Sequence, residues 1–129
     1  MIRSGILSLL LVVCALSSQN VHAFWGWMAD SAAADFSDAD WEILKATARE
    51  ALNTSPDGEQ VNWNNEASGN KGAMKAIMTF SYGDQRCRRM AFLNVSYKGQ
   101  RSVVNYNLCL QPDLTWKFVA DSVVSASQN

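Results

Sequence analysis

Cys87 and Cys109 bound the stretch CRRMAFLNVSYKGQRSVVNYNLC, and thiols so placed admit a metal site, a redox pair or a disulfide. Zinc takes about four ligands, and two cysteines without histidine or a second cysteine pair do not supply a tetrahedral site. The spacing also excludes a redox pair of the Cys-x-x-Cys kind. If Tyr97-Lys98-Gly99 is a three-residue hairpin loop with Gly99 in the left-handed region, then Ser96 faces Gln100, Phe92 faces Val104 and Cys87 faces Cys109. Directly opposed residues of an antiparallel pair lie about 4.5 to 5.5 Å apart at Cα, within reach of a disulfide. Register alone therefore brings the two sulfurs together as a structural staple.

Other chemistry has little to draw on. The only histidine is His22, in a segment expected to be removed, so a Ser-His or Cys-His nucleophile and a histidine-bound catalytic zinc are excluded. A carboxylate-only hydrolase needs two acids across a cleft, but the acids cluster toward the N-terminal side, and Glu66 and Asp84 stand near turns. The oxygen-rich strings DFSDAD and NEASGNKG do not match an EF-hand loop, and no glycine-rich phosphate loop follows a strand. No catalytic residue, metal or cofactor is expected. The cations Arg86, Arg88, Arg89, Lys98 and Arg101 on the hairpin, with Lys117 beside it, are candidates for an anionic glycan or lipid phosphate. Strand alternation points Arg88 and Arg89 to opposite faces, and solvated edge charge is the simpler explanation of the run.

The first residues, MIRSGILSLLLVVCALSSQNVHA, have one charge at Arg3, an apolar run from Gly5 to Leu16, a polar break and then Val21-His22-Ala23. That is the layout of a secretory signal peptide over residues 1–23, and the run falls short of the ~20 residues that span a bilayer. A lipoprotein reading through Cys14 is disfavoured by branched Val13. Cleavage after Ala23 leaves one domain's worth of chain and two cysteines, which in an exported protein pair as a disulfide. Charge divides along that chain. Asp30, Asp35, Asp38, Asp40, Glu42, Glu50, Asp57 and Glu59 face only Lys45 and Arg49 up to Gln60, whereas bases outnumber Glu66, Asp84, Asp113 and Asp121 beyond it. An acidic helix beside a basic sheet accounts for the division, and a basic surface for an anionic envelope ligand is the sharper alternative.

The elements that position these residues follow from periodicity. Residues 24–36, FWGWMADSAAADF, form an arm whose Phe24, Trp25 and Trp27 can seat on the domain, a partner or a membrane interface. Residues 37–129 read as a single α+β domain. Ser37 can cap a helix with Asp38 and Asp40 in its first turn, and Trp41, Leu44, Ala48, Ala51 and Leu52 form one apolar stripe that stops before Pro56-Asp57-Gly58. Strands follow. EQVNWNN puts Val61 and Trp63 on one face, SGNKG reads as a loop, and Met74, Ala76, Met78, Phe80 and Tyr82 alternate with polar residues, Ile77 being the exception. After a Gly83-Asp84 turn come the hairpin and a last strand with Trp116 and Phe118. The expected architecture is one N-terminal helix packed on an antiparallel meander of about five strands, stapled by one disulfide.

From about Thr47 to Val119 the chain resembles the C-terminal domain of the bacterial outer-membrane 17 kDa surface antigen family, the rickettsial type. GEQVNWNNEASGNKG, Cys87-Arg88, the hairpin ending in Cys109 and QPDLTW carry the resemblance, with Trp63, Ser68, Gly69, Asn70, Gly72, Gln111, Pro112, Asp113 and Trp116 at matching places. Members carry a lipid-modified N-terminal cysteine and a glycine-zipper segment that this sequence lacks, so the family's membrane attachment is not carried over. Leu110 replaces a typical Arg, and Leu114 replaces the turn Gly. The resemblance implies a Gram-negative cell-envelope protein without known enzymatic activity, periplasmic or associated with the outer membrane.

The expected function is a structural or accessory subunit that binds another envelope protein. Both hairpin faces carry apolar residues, Met90, Phe92, Val104, Tyr106 and Leu108 on one and Ala91, Leu93, Val95 and Val103 on the other. One helix covers one face; the second needs the arm or a partner. A soluble binder or inhibitor of an anionic envelope polymer is the alternative, and nucleic acid is not an expected partner in this compartment.

Overall fold

The computed structural model describes residues 31–127. A short 3-10 turn, Ser31–Asp35, leads into helix α1, Asp38–Thr54. Strands β1 (Val61–Asn65), β2 (Asn70–Tyr82), β3 (Gln85–Val95), β4 (Arg101–Leu110) and β5 (Trp116–Val119) follow, then helix α2, Asp121–Ser127. The strands form one antiparallel sheet in sequence order. The fold is thus α+β with one main helix on a five-stranded meander. α2 is an addition that the sequence reading did not include.

Helix α1 begins where a side chain can replace the missing backbone acceptors. Ser37 Oγ accepts from Asp40 N–H at 3.2 Å while Asp40 Oδ2 accepts from Ser37 N–H at 2.8 Å, a reciprocal capping box. The stripe Trp41, Leu44, Ala48, Ala51 and Leu52 is buried against Trp63, Met74, Ala76, Met90, Phe92 and Leu108 of the sheet. Phe36 seats edge-on between Trp41 and Trp63, with centroids 5.5 and 5.2 Å away.

The β3–β4 hairpin has the expected register. Ser96 N–H donates to Gln100 O at 2.9 Å, Gly99 has φ +86°, Phe92 pairs with Val104, and Cys87 pairs with Cys109. The two cysteines form a disulfide with Cα atoms 4.0 Å apart, closing a loop that the chain-entropy model values at roughly 3 kcal/mol.

Two expectations about β2 are corrected. SGNKG is not all loop: the turn is tighter, and Asn70, Lys71 and Gly72 already belong to β2. The run Met74 to Tyr82 does not keep one face. Ala76 pairs with Met90 but Met78 pairs with Arg89, so Ile77 is the extra residue of a β-bulge. One inserted residue inverts every side chain after it. Met74 and Ala76 stay under the helix, while Met78, Phe80 and Tyr82 pass to the outer face with Arg89, Cys87 and Gln85.

That inversion decides what each side of the sheet does. The inner side, under α1 and the 3-10 turn, holds the core. On the outer side, α2 packs against β2 and is held at its first residue, where Asp121 Oδ1 accepts from Asn107 Nδ2 at 2.8 Å and Arg89 Nη1 at 3.1 Å. The disulfide is fully buried at that end. The end nearer the hairpin tip is more open, with Val103 68 % exposed, although Leu93 is half-buried and Val95 buried.

Candidate functional site

Three polar constellations stand out, and two of them are internal. Asp40 is 0 % exposed. Its Oδ1 accepts from Asn65 Nδ2 at 2.8 Å and Ser68 Oγ at 2.6 Å, and its Oδ2 accepts from Asn70 Nδ2 at 2.7 Å besides Ser37 N–H. Burial pushes the carboxyl pKa upward, and the bonds from Ser68, Asn70, Ser37 and Asn65 outweigh it, bringing the pKa to about 2. All four donors are neutral groups. The cluster fastens the start of α1 to the β1–β2 turn, and Asn70 Oδ1 extends it by accepting from Tyr97 N–H at 2.8 Å. Ser68, Gly69 and Asn70 of the resemblance motif therefore serve this junction.

The second constellation lies at the other end of α1. Arg88, 1 % exposed, donates from Nη1 to Ala51 O at 3.1 Å and Leu52 O at 2.9 Å. Its Nη2 donates to Ser55 O at 2.6 Å and Asp57 Oδ1 at 2.9 Å, and its Nε to Thr79 Oγ1 at 3.0 Å. A strand arginine thus satisfies the carbonyls that the helix C-terminus leaves open, in a last turn with no basic residue of its own. Its hydrogen bond, with Thr79's, holds the Asp57 carboxyl below the usual carboxylate range.

The hairpin cations named from sequence are dispersed. Arg88 is sealed under the helix. Arg86, on the inner side, lies 5.9 Å over the Trp116 ring. Arg89 is on the outer side and pairs with Asp121. Lys98, at the tip, pairs with Asp35 at 3.2 Å, which raises its pKa through the hydrogen bond and the charge of that carboxylate. Arg101 is exposed on the outer side. The basic run is therefore not one patch, and Arg88 is closed to a soluble ligand. The expected signal segment with Cys14 and His22, and the arm residues Phe24, Trp25 and Trp27, lie outside the described residues.

The third constellation is the open half of the outer face. The five strands contain no Asp or Glu. Pairing sets three rows across it: Asn64, Lys71, Val95 and Arg101; then Asn62, Ala73, Leu93 and Val103; then Lys75, Ala91 and Asn105. An apolar row lies between two rows that carry cations. Shallow hollows of about 510 and 140 Å³ open on it, and a further cleft of about 190 Å³ lies between α1 and β5, lined by Lys45, Arg49, Leu114 and Trp116 among others. No carboxylate lines any of the three, so none offers the paired acids a carboxylate-only hydrolase requires. Lys71 and Lys75 were missed as partners of Arg101; strand parity through Lys71, Ala73 and Lys75 was the signal that could have found them.

Among the described residues no cluster of three or more His, Cys, Asp or Glu could hold a metal ion, and no helix is long and apolar enough to cross a membrane. The QPDLTW motif is a turn: Leu114 N–H donates to Gln111 O at 2.9 Å, Asp113 Oδ1 accepts from Thr115, and Trp116 Nε1 reaches Asn53 Oδ1 of α1 at 2.9 Å.

Several of the motif residues, Ser68, Asn70 and Trp116 among them, hold the helix to the sheet. The chain is similar to the 17 kDa surface antigens of Rickettsia prowazekii (strain Madrid E), 30 % identical over 83 residues, and of Rickettsia japonica (strain ATCC VR-1363 / YH), 29 % identical over 86 residues. The matches cover 64 and 67 % of this chain but 52 and 54 % of those proteins. The chain therefore spans about half the length of the curated relatives it matches. No family model matches it, and no solved structure matches it at a significant level.

Proposed function

We propose that the protein is a non-enzymatic component of the cell envelope, a disulfide-stapled domain that serves as a structural or accessory subunit by presenting its surface to another envelope component. One observation carries this reading: Asp40, Asp57 and Arg88 are engaged in fastening α1 to the sheet, while Lys71, Lys75 and Arg101, which form no ion pair among the described residues, lie exposed on the outer face. The similarity to proteins named surface antigens supports an envelope location. So does the disulfide, which suits an oxidising compartment such as the periplasm. Export through the signal segment, with the aromatic arm as a second contact, belongs to the same reading.

Crosslinking the native, signal-processed protein in intact envelopes, followed by mass spectrometry, tests it. One stoichiometric protein partner, lost when Trp25 and Trp27 are changed to Ala, is the expected result. A second reading, binding of an anionic envelope polymer or lipid, is favoured by Lys71, Lys75 and Arg101, which form no ion pair among the described residues. Recovery of salt-releasable glycan or lipid alone would replace the first reading with this one.

A further inference from the structure

We propose that the open half of the outer sheet face docks on an anionic lipid bilayer, with Lys71, Lys75 and Arg101 taking headgroup phosphates and Val103 resting at the boundary with the acyl chains. The proposal deepens the second reading above, binding of an anionic envelope lipid, and rests on it. Rows of a sheet repeat at about 7 Å along a strand and strands at about 4.8 Å, so Lys71, Lys75 and Arg101 surround the Ala73, Leu93 and Val103 row rather than converging on one point. Such a set fits a continuous anionic surface better than a single anion. None of the three forms an ion pair among the described residues, and all three are exposed.

Two further observations separate a bilayer from other anionic partners. No described acid stands on the three rows, and Asp121, on the outer side at the α2 end, is engaged by Arg89 and Asn107, so this half of the face presents cations to an anionic plane. No aromatic side chain stands on the three rows, and Trp63, which lines the larger hollow, is 5 % exposed, so no open stacking platform for a sugar is presented among the described residues. Basic residues near an anionic leaflet and a modest apolar contact supply the two signals that peripheral attachment requires.

The test is flotation of the native, signal-processed protein with vesicles of phosphatidylcholine alone or with one-third phosphatidylglycerol. Binding is expected only to the anionic vesicles and to weaken with added salt. The double variant Lys71→Glu/Arg101→Glu should bind roughly tenfold or more weakly, Lys75→Glu and Val103→Ser should each weaken it, and Arg49→Glu on the helix side should leave it unchanged. Unaltered near-ultraviolet circular dichroism confirms that each variant folds. The proposal is overturned by equal binding to both vesicles, by no binding, by indifference to the outer-face variants, or by loss only when Trp25 and Trp27 are replaced. It also fails if a soluble polyanion binds equally well and Val103→Ser changes nothing. A protein partner crosslinked in envelopes despite absent vesicle binding would defeat this proposal and leave the accessory-subunit reading standing.

Discussion

Arg88 on β3 reaches Leu52 of α1, donating from Nη1 to the Leu52 carbonyl oxygen at 2.9 Å inside the protein. The same guanidinium holds Ala51, Ser55 and Asp57, so one strand residue closes the end of the main helix and fixes the chain leaving it.

Replacing Arg88 with Met removes the guanidinium donor of the Leu52 and Ser55 carbonyls, while Ala51 O keeps the Ser55 N–H at 2.9 Å. Urea unfolding of the oxidised protein should show a loss of about 3 kcal/mol. Arg88→Lys should recover only part of it, because an ammonium cannot reproduce the planar fork. A loss under 1 kcal/mol would mean that water replaces the arginine there.

Asp40 makes stability depend on acid. Its folded pKa, about 2, lies below the ordinary 3.8, so the contribution is fully present above pH ~4 and is lost as pH falls toward 2, amounting to roughly 2 kcal/mol. Asp40→Asn presents an amide to the donors of Asn65, Ser68 and Asn70. It should lower stability at pH 7 by about 2 kcal/mol and flatten the loss between pH 4 and 2. Parallel curves for the two proteins across that range would refute the assignment.

Gly72 lies directly across from Trp63, and a Cβ there would stand 2.5 Å from both Leu93 O and Trp63 Nε1. Gly72→Ala should therefore cost about 2 kcal/mol or more, since neither the β3 backbone nor the seated indole can move freely. A thermal melt is sufficient: an unchanged midpoint would show that the ring repacks.

Leu114 holds φ +68° in the β4–β5 turn, where a leucine pays for a left-handed conformation that glycine adopts readily. It is also 75 % exposed. Leu114→Gly should stabilise the protein by up to about 1 kcal/mol, measured by denaturant midpoint. Destabilisation would mean that its contact along the α1–β5 cleft outweighs the strain.

Helix α1, its Ser37 cap, the hairpin loop and the disulfide were legible in the sequence because each follows from local rules. A cap lies within one turn of what it caps, and once Gly99 sets the loop, register carries the pairing from Ser96 to Cys87 without further information. The sense of β2 beyond Ile77 was not legible. Alternation continues in the sequence across a bulge, and only the partner strand reveals which residue went unpaired. Nor could the chain order say where Arg88 and Asp40 would go. Arg88 read as one more surface cation and Asp40 as a first-turn acid, but their partners stand tens of residues away, at Ala51 and at Ser68. The sequence by itself determined the staple, the helix and the strand count. Tertiary structure decided which charges are buried as fasteners and which stand free on the outer face, because burial is set by which surfaces meet and no local pattern encodes that meeting.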